Sequence, residues 1–403
     1  MRISTQTFYE QSRTSMGSQQ SSLLRVQQQL GAGTKILAPS DDPLGATRAL
    51  AISQSIALTA QYSASRNHAV QTLSLEENAL QSVTTVLQNI KSLVVQAGNG
   101  TLADADRASI ATTLQSSLDQ LQGLANTDDG NGQFLFAGFR SGSAPFVRQA
   151  DGGIQYNGDQ GQRQVQVDVS RQMAGTDDGR SIFQTVQAGA GYVASAPGAN
   201  TGSGVFSSTS VVNPNDVNYG KDFVISFPAA GSYQVDTVPA SSSPLVAATP
   251  FTPGSTIAFG GLQLSISGAP AAGDEIHVAT AKNAGSDVFS AIGDVIKALR
   301  TPAQGPQNQA LVLNALSTAN RKLTNAHDNV LAVRTSVGSR LQELDTLAVS
   351  ANDRTLQDKL ALSNLQDLDY GSAIAEFYQR QTALQASQQT FVKIQQISLF
   401  NYL

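Results

Sequence analysis

The sequence predicts an α+β fold. Long helical arms from the two ends run antiparallel as a coiled coil and bundle rod, and a β-rich outer domain is inserted between them. Three observations carry this. Nine of the thirteen prolines fall between Pro145 and Pro270. That leaves the tracts 44–144 and 307–403 clear of a residue that removes a backbone donor and clashes inside helices. Both tracts carry apolar residues at three- and four-residue steps, the period of a helix face. Between them, apolar and polar residues alternate with period two, as in half-buried strands.

The elements follow in chain order. Phe8, Met16, Leu23, Val26 and Leu30 form a thin stripe in a background of Ser, Thr and Gln. Ser40-Asp41-Asp42-Pro43 reads as a helix start, with side-chain oxygens to cap free amides and Pro at the first helical position. Ala49, Ile52, Ile56, Val70, Leu73, Leu80 and Leu87 then mark one face. Gly98-Asn99-Gly100 ends that helix by supplying left-handed conformers. A second helix restarts near Asp104, with Ile110, Leu114, Leu118 and Leu121 on one side.

In the middle, Gln164–Val169, Phe223–Phe227 and Tyr233–Asp236 alternate as strands. Gly260-Gly261 separates Thr256–Phe259 from Leu262–Ile266, a two-residue hairpin signal. Asn157-Gly158 is a further turn signal, and 187–220 reads as a long Gly/Ser/Pro-rich loop. The last tract carries Leu316, Leu323, Val330, Val333, Val337, Leu341, Leu344 and Leu347. At Gly371 a break is expected. The segment around it carries Tyr370, Ile374, Phe377, Leu384 and Phe391. Tyr370, Phe377, Leu384 and Phe391 keep a seven-residue step, which favours coiled-coil packing. Neither end has the apolar surface to offset the entropy of ordering a lone helix, so each needs the other or a partner subunit. The expected division is 1–42 with 366–403 as a terminal coiled coil, 43–139 with 285–365 as a helical rod, and 140–284 as the β-rich insert.

Composition narrows the function. The charged fraction is 14%, against roughly 25% for an average soluble protein. Such a surface suits a subunit that packs against copies or partners. A net charge of −5 argues against nucleic-acid binding, which needs a basic stripe to displace counterions. With no cysteine, thiolate catalysis and disulfides are excluded. The N-terminal residues lack the apolar run of a secretory signal, and no run approaches the ~20 apolar residues of a membrane span. The expectation is a protein that is not inserted in a membrane and leaves the cell, if at all, without a conventional leader.

Catalytic constellations are sparse, and no enzyme activity, cofactor or metal is expected. Asp41-Asp42 precedes Pro43 and reads as a cap. Asp128-Asp129-Gly130-Asn131-Gly132 faintly suggests a calcium loop, but it lacks an alternate ligand and has Arg140 near the closing position, so it reads as a turn. So does Asp177-Asp178-Gly179. Gly189–Ala194 fits a loose dinucleotide fingerprint without the strand and helix it needs. His68, His277 and His327 have no carboxylate neighbours at ligand spacing and read as surface or filler. The aromatics of the C-terminal stripe read as a packing seam rather than a ligand-stacking face.

More specific residues then appear. Gln28-Gln29-Leu30-Gly31-Ala32-Gly33-Thr34-Lys35-Ile36, followed by Ala38-Pro39-Ser40-Asp41-Asp42-Pro43-Leu44-Gly45-Ala46, resembles the N-terminal signature of the bacterial flagellin family. Gly31-Ala32 stands where that family usually has Ser-Ser, and Lys35 where it has Arg. The Pro after the Asp pair resembles the family's hook–filament junction members more than filament flagellin. Asp129–Gly138 with Ala144-Pro145-Phe146, the Tyr156–Arg163 segment as a first hairpin, and the ending Gln381–Ser387 through Ser398-Leu399-Phe400-Asn401-Tyr402-Leu403 agree. About half of the chain is covered, and 185–275 carries no familiar motif.

The resemblance implies a structural adaptor that joins hook to filament. It implies export through the flagellar type III apparatus and residence in the extracellular flagellum. Its implied partners are a preceding hook-associated protein of the FlgK type, flagellin, copies of itself in a ring, and a cytoplasmic chaperone of the FlgN type. Phe377, Leu384 and Phe391 are implied as candidates for the chaperone contact. The terminal helices would pair and line the axial core, becoming ordered on assembly. Filament flagellin is the nearest alternative. A surface adhesin or glycan-active protein using the β insert is the alternative of another class.

Overall fold

The computed structural model describes residues 5–396. In chain order it contains α1 (Thr5–Ala32), α2 (Pro43–Ala97), α3 (Asp104–Ala125), β1 (Phe146–Arg148), β2 (Ile154–Tyr156), β3 (Gln164–Asp168), β4 (Arg171–Ala174) and α4 (Gly179–Phe183). There follow β5 (Val193–Ser195), β6 (Val205–Phe206), β7 (Ser210–Val211), β8 (Asp222–Ala229), β9 (Ser232–Val238), β10 (Val246–Pro250), β11 (Thr256–Phe259), β12 (Leu262–Ser267) and β13 (Glu275–Ala279). The chain closes with α5 (Val288–Arg300), α6 (Gly305–Gln366) and α7 (Tyr370–Gln396). This is the predicted α+β fold, with long terminal helices around a β-rich middle. Among the described residues no helix is long and apolar enough to cross a membrane.

The chain separates into two compact units. The first takes the residues up to Ala64 and from Thr346 onward. In it α1 packs on α7, and the buried residues are small: Val26, Ala49, Ala351 and Ala373. Large apolar side chains stay outside, among them Leu44, Leu50, Leu58, Leu356, Leu360 and Tyr378.

The second unit spans Ser65–Asp345 and has a conventional core. Leu73, Leu80, Val83, Leu87 and Ile90 of α2 are buried, as are Leu316, Leu323, Val330, Val337 and Leu344 of α6. Val70, expected on the buried face, is exposed, and Ala69 is buried instead. Helix α3 packs on α5. Helix α5 lies in the 285–365 stretch expected to be helical, but it was not singled out as a separate helix, because Pro302 and Pro306 made the open tract begin at 307. Its own signals are clear: Asp287 caps it by accepting from Phe289 and Ser290 N–H, and Val288, Phe289, Ile292, Val295, Ile296 and Leu299 are buried.

The β region holds an antiparallel five-stranded sheet in the order β10-β9-β8-β13-β5, and β11-β12-β6 with β7 also on β12. Their shared core includes Phe223, Ile225, Phe227, Val235, Ile257, Leu264, Ile266 and Val278. Gly260 and Gly261, at φ 50° and 77°, turn β11 into β12, as a two-residue hairpin with two left-handed positions requires.

Two expectations need correction here. The 187–220 segment is not all loop, since β5, β6 and β7 lie in it. Strands this short leave no readable alternation. The first hairpin is β1–β2, with Phe146 opposite Tyr156, so of the Tyr156–Arg163 segment only Tyr156 is in that hairpin and the rest is the link onward to β3.

One face of α6 fixes the insert. Asn314 Nδ2 donates to Gly204 O (2.9 Å) and its Oδ1 accepts from Phe206 N–H (3.1 Å). Thr318 Oγ1 donates to Ala194 O, Arg321 Nε to Tyr192 O and Asn325 Nδ2 to Gly191 O. Asn329 Nδ2 donates to Ser181 O (2.8 Å) and Ile182 O (2.9 Å). These five residues recur at helical steps, so one stripe of α6 satisfies buried backbone groups that would otherwise be stranded.

Candidate assembly site

The flagellin-like signature folds into a connector in the first unit. Helix α1 ends at Gly33, whose φ of +73° is a left-handed conformation that glycine adopts without steric cost. The next residues pair with the segment between α6 and α7. Lys35 N–H donates to Gln366 O (2.8 Å) and Leu368 N–H to Gly33 O (3.0 Å), around an antiparallel bridge between Thr34 and Asp367. Lys35 Nζ donates to Asn364 O (2.7 Å), placing a cation at the carbonyl end of α6, where the helix dipole favours it. A basic residue is therefore explained at this position. Gln29 Nε2 closes the loop by donating to Lys35 O (2.7 Å).

The Asp pair has divided roles. Asp41 Oδ2 accepts from Leu37 N–H (3.0 Å) and Ala38 N–H (3.1 Å), and its carboxylate pairs with Arg25. The Ala38 and Leu37 amides hold the Asp41 carboxyl below its usual range. Asp42 is the cap, its Oδ1 accepting from Gly45 N–H (2.9 Å) at the start of α2. Both were expected to cap, and only Asp42 does. A Cβ on Gly45 would overlap the Asp42 carboxylate and lie 3.0 Å from Ile36 Cδ1, so a larger residue there would have to displace the capping side chain. Pro43 is the first residue of α2. Ser40 is exposed.

The seam lies along α1 and α7. Along α1 a line of half-buried or buried positions runs through Tyr9, Ser12, Met16, Gln19, Leu23, Val26 and Leu30 to Gly33 just beyond the helix, with Ser22 and Gln29 half-buried beside it. The line alternates three- and four-residue steps as coiled-coil seams do. On α7 the line runs through Ala373, Phe377, Arg380, Leu384, Ser387 and Phe391, with Ala383 half-buried beside it. Tyr9 meets Phe391 edge-on at 6.0 Å between centroids, which sets the two helices antiparallel together with the Gly33–Leu368 bond.

Of the predicted seam residues, Met16, Leu23, Val26, Leu30, Phe377, Leu384 and Phe391 fall on this line. Tyr370 and Ile374 are 53% and 45% exposed, and Ala373 takes the inner place at 6%. The reason is the register: from Tyr370 the inward step is three residues, which leaves Ile374 on the flank. Tyr370 closes the end of the seam, its Oη lying 3.0 Å from where a Gly33 Cβ would stand. The break lies before Tyr370, where Asp369 Oδ1 accepts from Gly371 N–H (3.0 Å), so Gly371 belongs to α7.

The side chain of Phe8 lies outside the described residues, as do Ser398, Leu399, Phe400, Tyr402 and Leu403. Tyr9 was missed, although Tyr9, Met16, Leu23 and Leu30 keep a strict seven-residue step.

The acidic turns are structural. Asp129 Oδ1 accepts from Asn131 and Gln133 N–H (2.8 and 3.1 Å). Asp178 caps α4 through Ser181 N–H, while Asp177 pairs with Arg340 of α6. His277 pairs with Glu275 at 3.1 Å on the surface, and His327 lies near Gln88.

A connector that registers both chain ends, beside a seven-residue helix seam with large apolar side chains left outside, is the arrangement expected of a flagellin-class subunit. Residues 3–141 match the family described as the bacterial flagellin N-terminal helical region. The flagellar hook-associated protein 3 of Salmonella typhimurium is 34% identical across 99% of both chains. Crystal structures agree. FlgL of Xanthomonas campestris superposes with a TM-score of 0.67 at 31% identity, over 77% of this chain and 99% of that one. The flagellar junction protein FlgL of Legionella pneumophila gives 0.68 at 25% identity, over 79% and 100%. A phase 1 flagellin of Salmonella naestved, by contrast, matches only 32% of this chain and 26% of its own length, at 29% identity. The chain belongs to the flagellar hook-associated protein 3 (FlgL) family.

Proposed function

We propose that this chain is the structural subunit that joins hook to filament in a bacterial flagellum. The observation that carries it is the end-to-end likeness to a hook-associated protein 3. The connector and the exposed leucines of the first unit are what such a role requires, because surface left apolar in the monomer is covered when subunits pack. Partners follow from the same reading: a preceding hook-associated protein of the FlgK type, filament flagellin and copies of the chain in a ring. Export passes through the flagellar type III apparatus, with a chaperone of the FlgN type on the Phe377–Leu384–Phe391 stripe, and ends in the extracellular flagellum.

Residues 1–42 with 366–403 take the inner position, 43–139 with 285–365 the middle, and 140–284 the outer. The role is mechanical and involves no catalysis. Deleting the gene tests this. Hooks without filaments, with flagellin free in the medium and filaments restored by complementation, are expected. Flagellin missing from cells and medium alike would instead support the filament reading.

A further inference from the structure

Glu76 of α2 is fully buried in the second unit, and it faces another carboxylate. Its Oε1 accepts from Asp177 N–H (3.2 Å), and its Oε2 has no hydrogen-bond partner. Asp177 lies in the segment between β4 and α4. Arg340 of α6 binds the Asp177 carboxylate through Nη2 and donates from Nη1 to Ala174 O (3.1 Å). Gln162 Nε2 donates to Asp177 Oδ1 (3.1 Å). The adjacent charges are engaged elsewhere: Glu77 with Arg334, Arg171 with Glu343, and Asp178 as the cap of α4. The buried Glu76 carboxyl and the largely covered Asp177 carboxylate therefore lie beside one guanidinium. Only one of them can be ionised without leaving an uncompensated charge in the interior.

We propose that Glu76, Asp177 and Arg340 form a proton-dependent latch that holds the 174–178 segment, and the β3–β4 hairpin it continues, against α2 and α6. With Glu76 protonated, Asp177 and Arg340 balance and the latch is closed. Loss of that proton puts a second negative charge where Oε2 has no donor, and the segment opens to let water reach it. Burial, and then the Asp177 charge, push the Glu76 carboxyl up to about 8 from 4.5. The closed form thus holds a proton that the open form has lost. Stability of the latch is complete below the ordinary carboxylate range and falls as pH rises toward the raised value. While pH lies between the two values, the opening equilibrium grows about tenfold per pH unit.

Glu76→Gln in the full chain keeps the shape and removes the charge. Amide exchange of Gly175 and Asp177 is compared between wild type and E76Q at each pH, so the intrinsic exchange rate cancels. From pH 5 to pH 7 the wild-type excess should grow on the order of tenfold or more, while Glu77→Gln follows wild type. A ratio that does not change with pH overturns the latch. Carbon-13 titration of the Glu76 carboxyl in the wild type is independent of how the variant folds. A midpoint above pH 7 supports the proposal, and one in the ordinary carboxylate range overturns it.

Discussion

Replacing Gly33 tests whether the connector holds the two chain ends in register. Its φ of +73° costs an L-residue roughly 1–2 kcal/mol, because Cβ crowds the following carbonyl. Contact adds little, since the new Cβ meets only Tyr370 Oη at 3.0 Å, the far end of a side chain that can swing into solvent. The Gly33→Ala cost is therefore backbone strain, roughly 1–2 kcal/mol, which is a factor of about 5–30 in an opening equilibrium. The assay is amide exchange at Lys35 and Leu368, whose N–H groups bond across the connector. Both should exchange faster by that factor in the full chain. Gly33→Asn should lose less, because its short polar side chain tolerates the left-handed region. Equal behaviour of Ala and Asn, or unchanged exchange in both, would refute the strain argument.

Other outcomes follow from single contacts. Gln19 Oε1 is buried in the seam with no partner, so Gln19→Leu should strengthen α1 on α7 by about 1 kcal/mol, seen as slower exchange along both helices. Asn329→Ala strands the carbonyls of Ser181 and Ile182 and should destabilise the second unit by about 2–3 kcal/mol, read from its denaturant midpoint. The Asp41 carboxyl lies below its usual range because two amides bond its charged form. Its contribution is full above the unfolded value and is lost as pH falls through the depressed one. Exchange at Leu37 and Ala38 should quicken there, and Asp41→Asn should flatten that dependence.

Much of the fold was legible because helices and long strands announce themselves locally. Pro43 and Gly98 bracket α2, and Gly260-Gly261 marks the β11–β12 turn. Strands β5 to β7 were not legible, since two or three residues give no period and their places are set by β12 and β13. Helix α5 was expected only as part of the 285–365 helical stretch; its own bounds were readable from the Asp287 cap, its apolar spacing and Pro302. The connector shows a further limit. Its residues were recognisable as a family signature, but the reason for Lys35 is Asn364, 329 residues away, and no local pattern contains that. The same holds for Glu76, whose neighbours Asp177 and Arg340 come from distant segments. The α6 ladder left a trace: Asn314, Thr318, Arg321, Asn325 and Asn329 are polar at helical steps beside a buried stripe, which signals a backbone to be satisfied.

The proposed role puts this chain at the boundary between hook and filament. Immunogold electron microscopy of intact flagella, with antibody raised against residues 140–284, measures that place directly. The account predicts a single band of label where hook meets filament, lost in a deletion strain. Label running along the whole filament, or none on the flagellum at all, would contradict it.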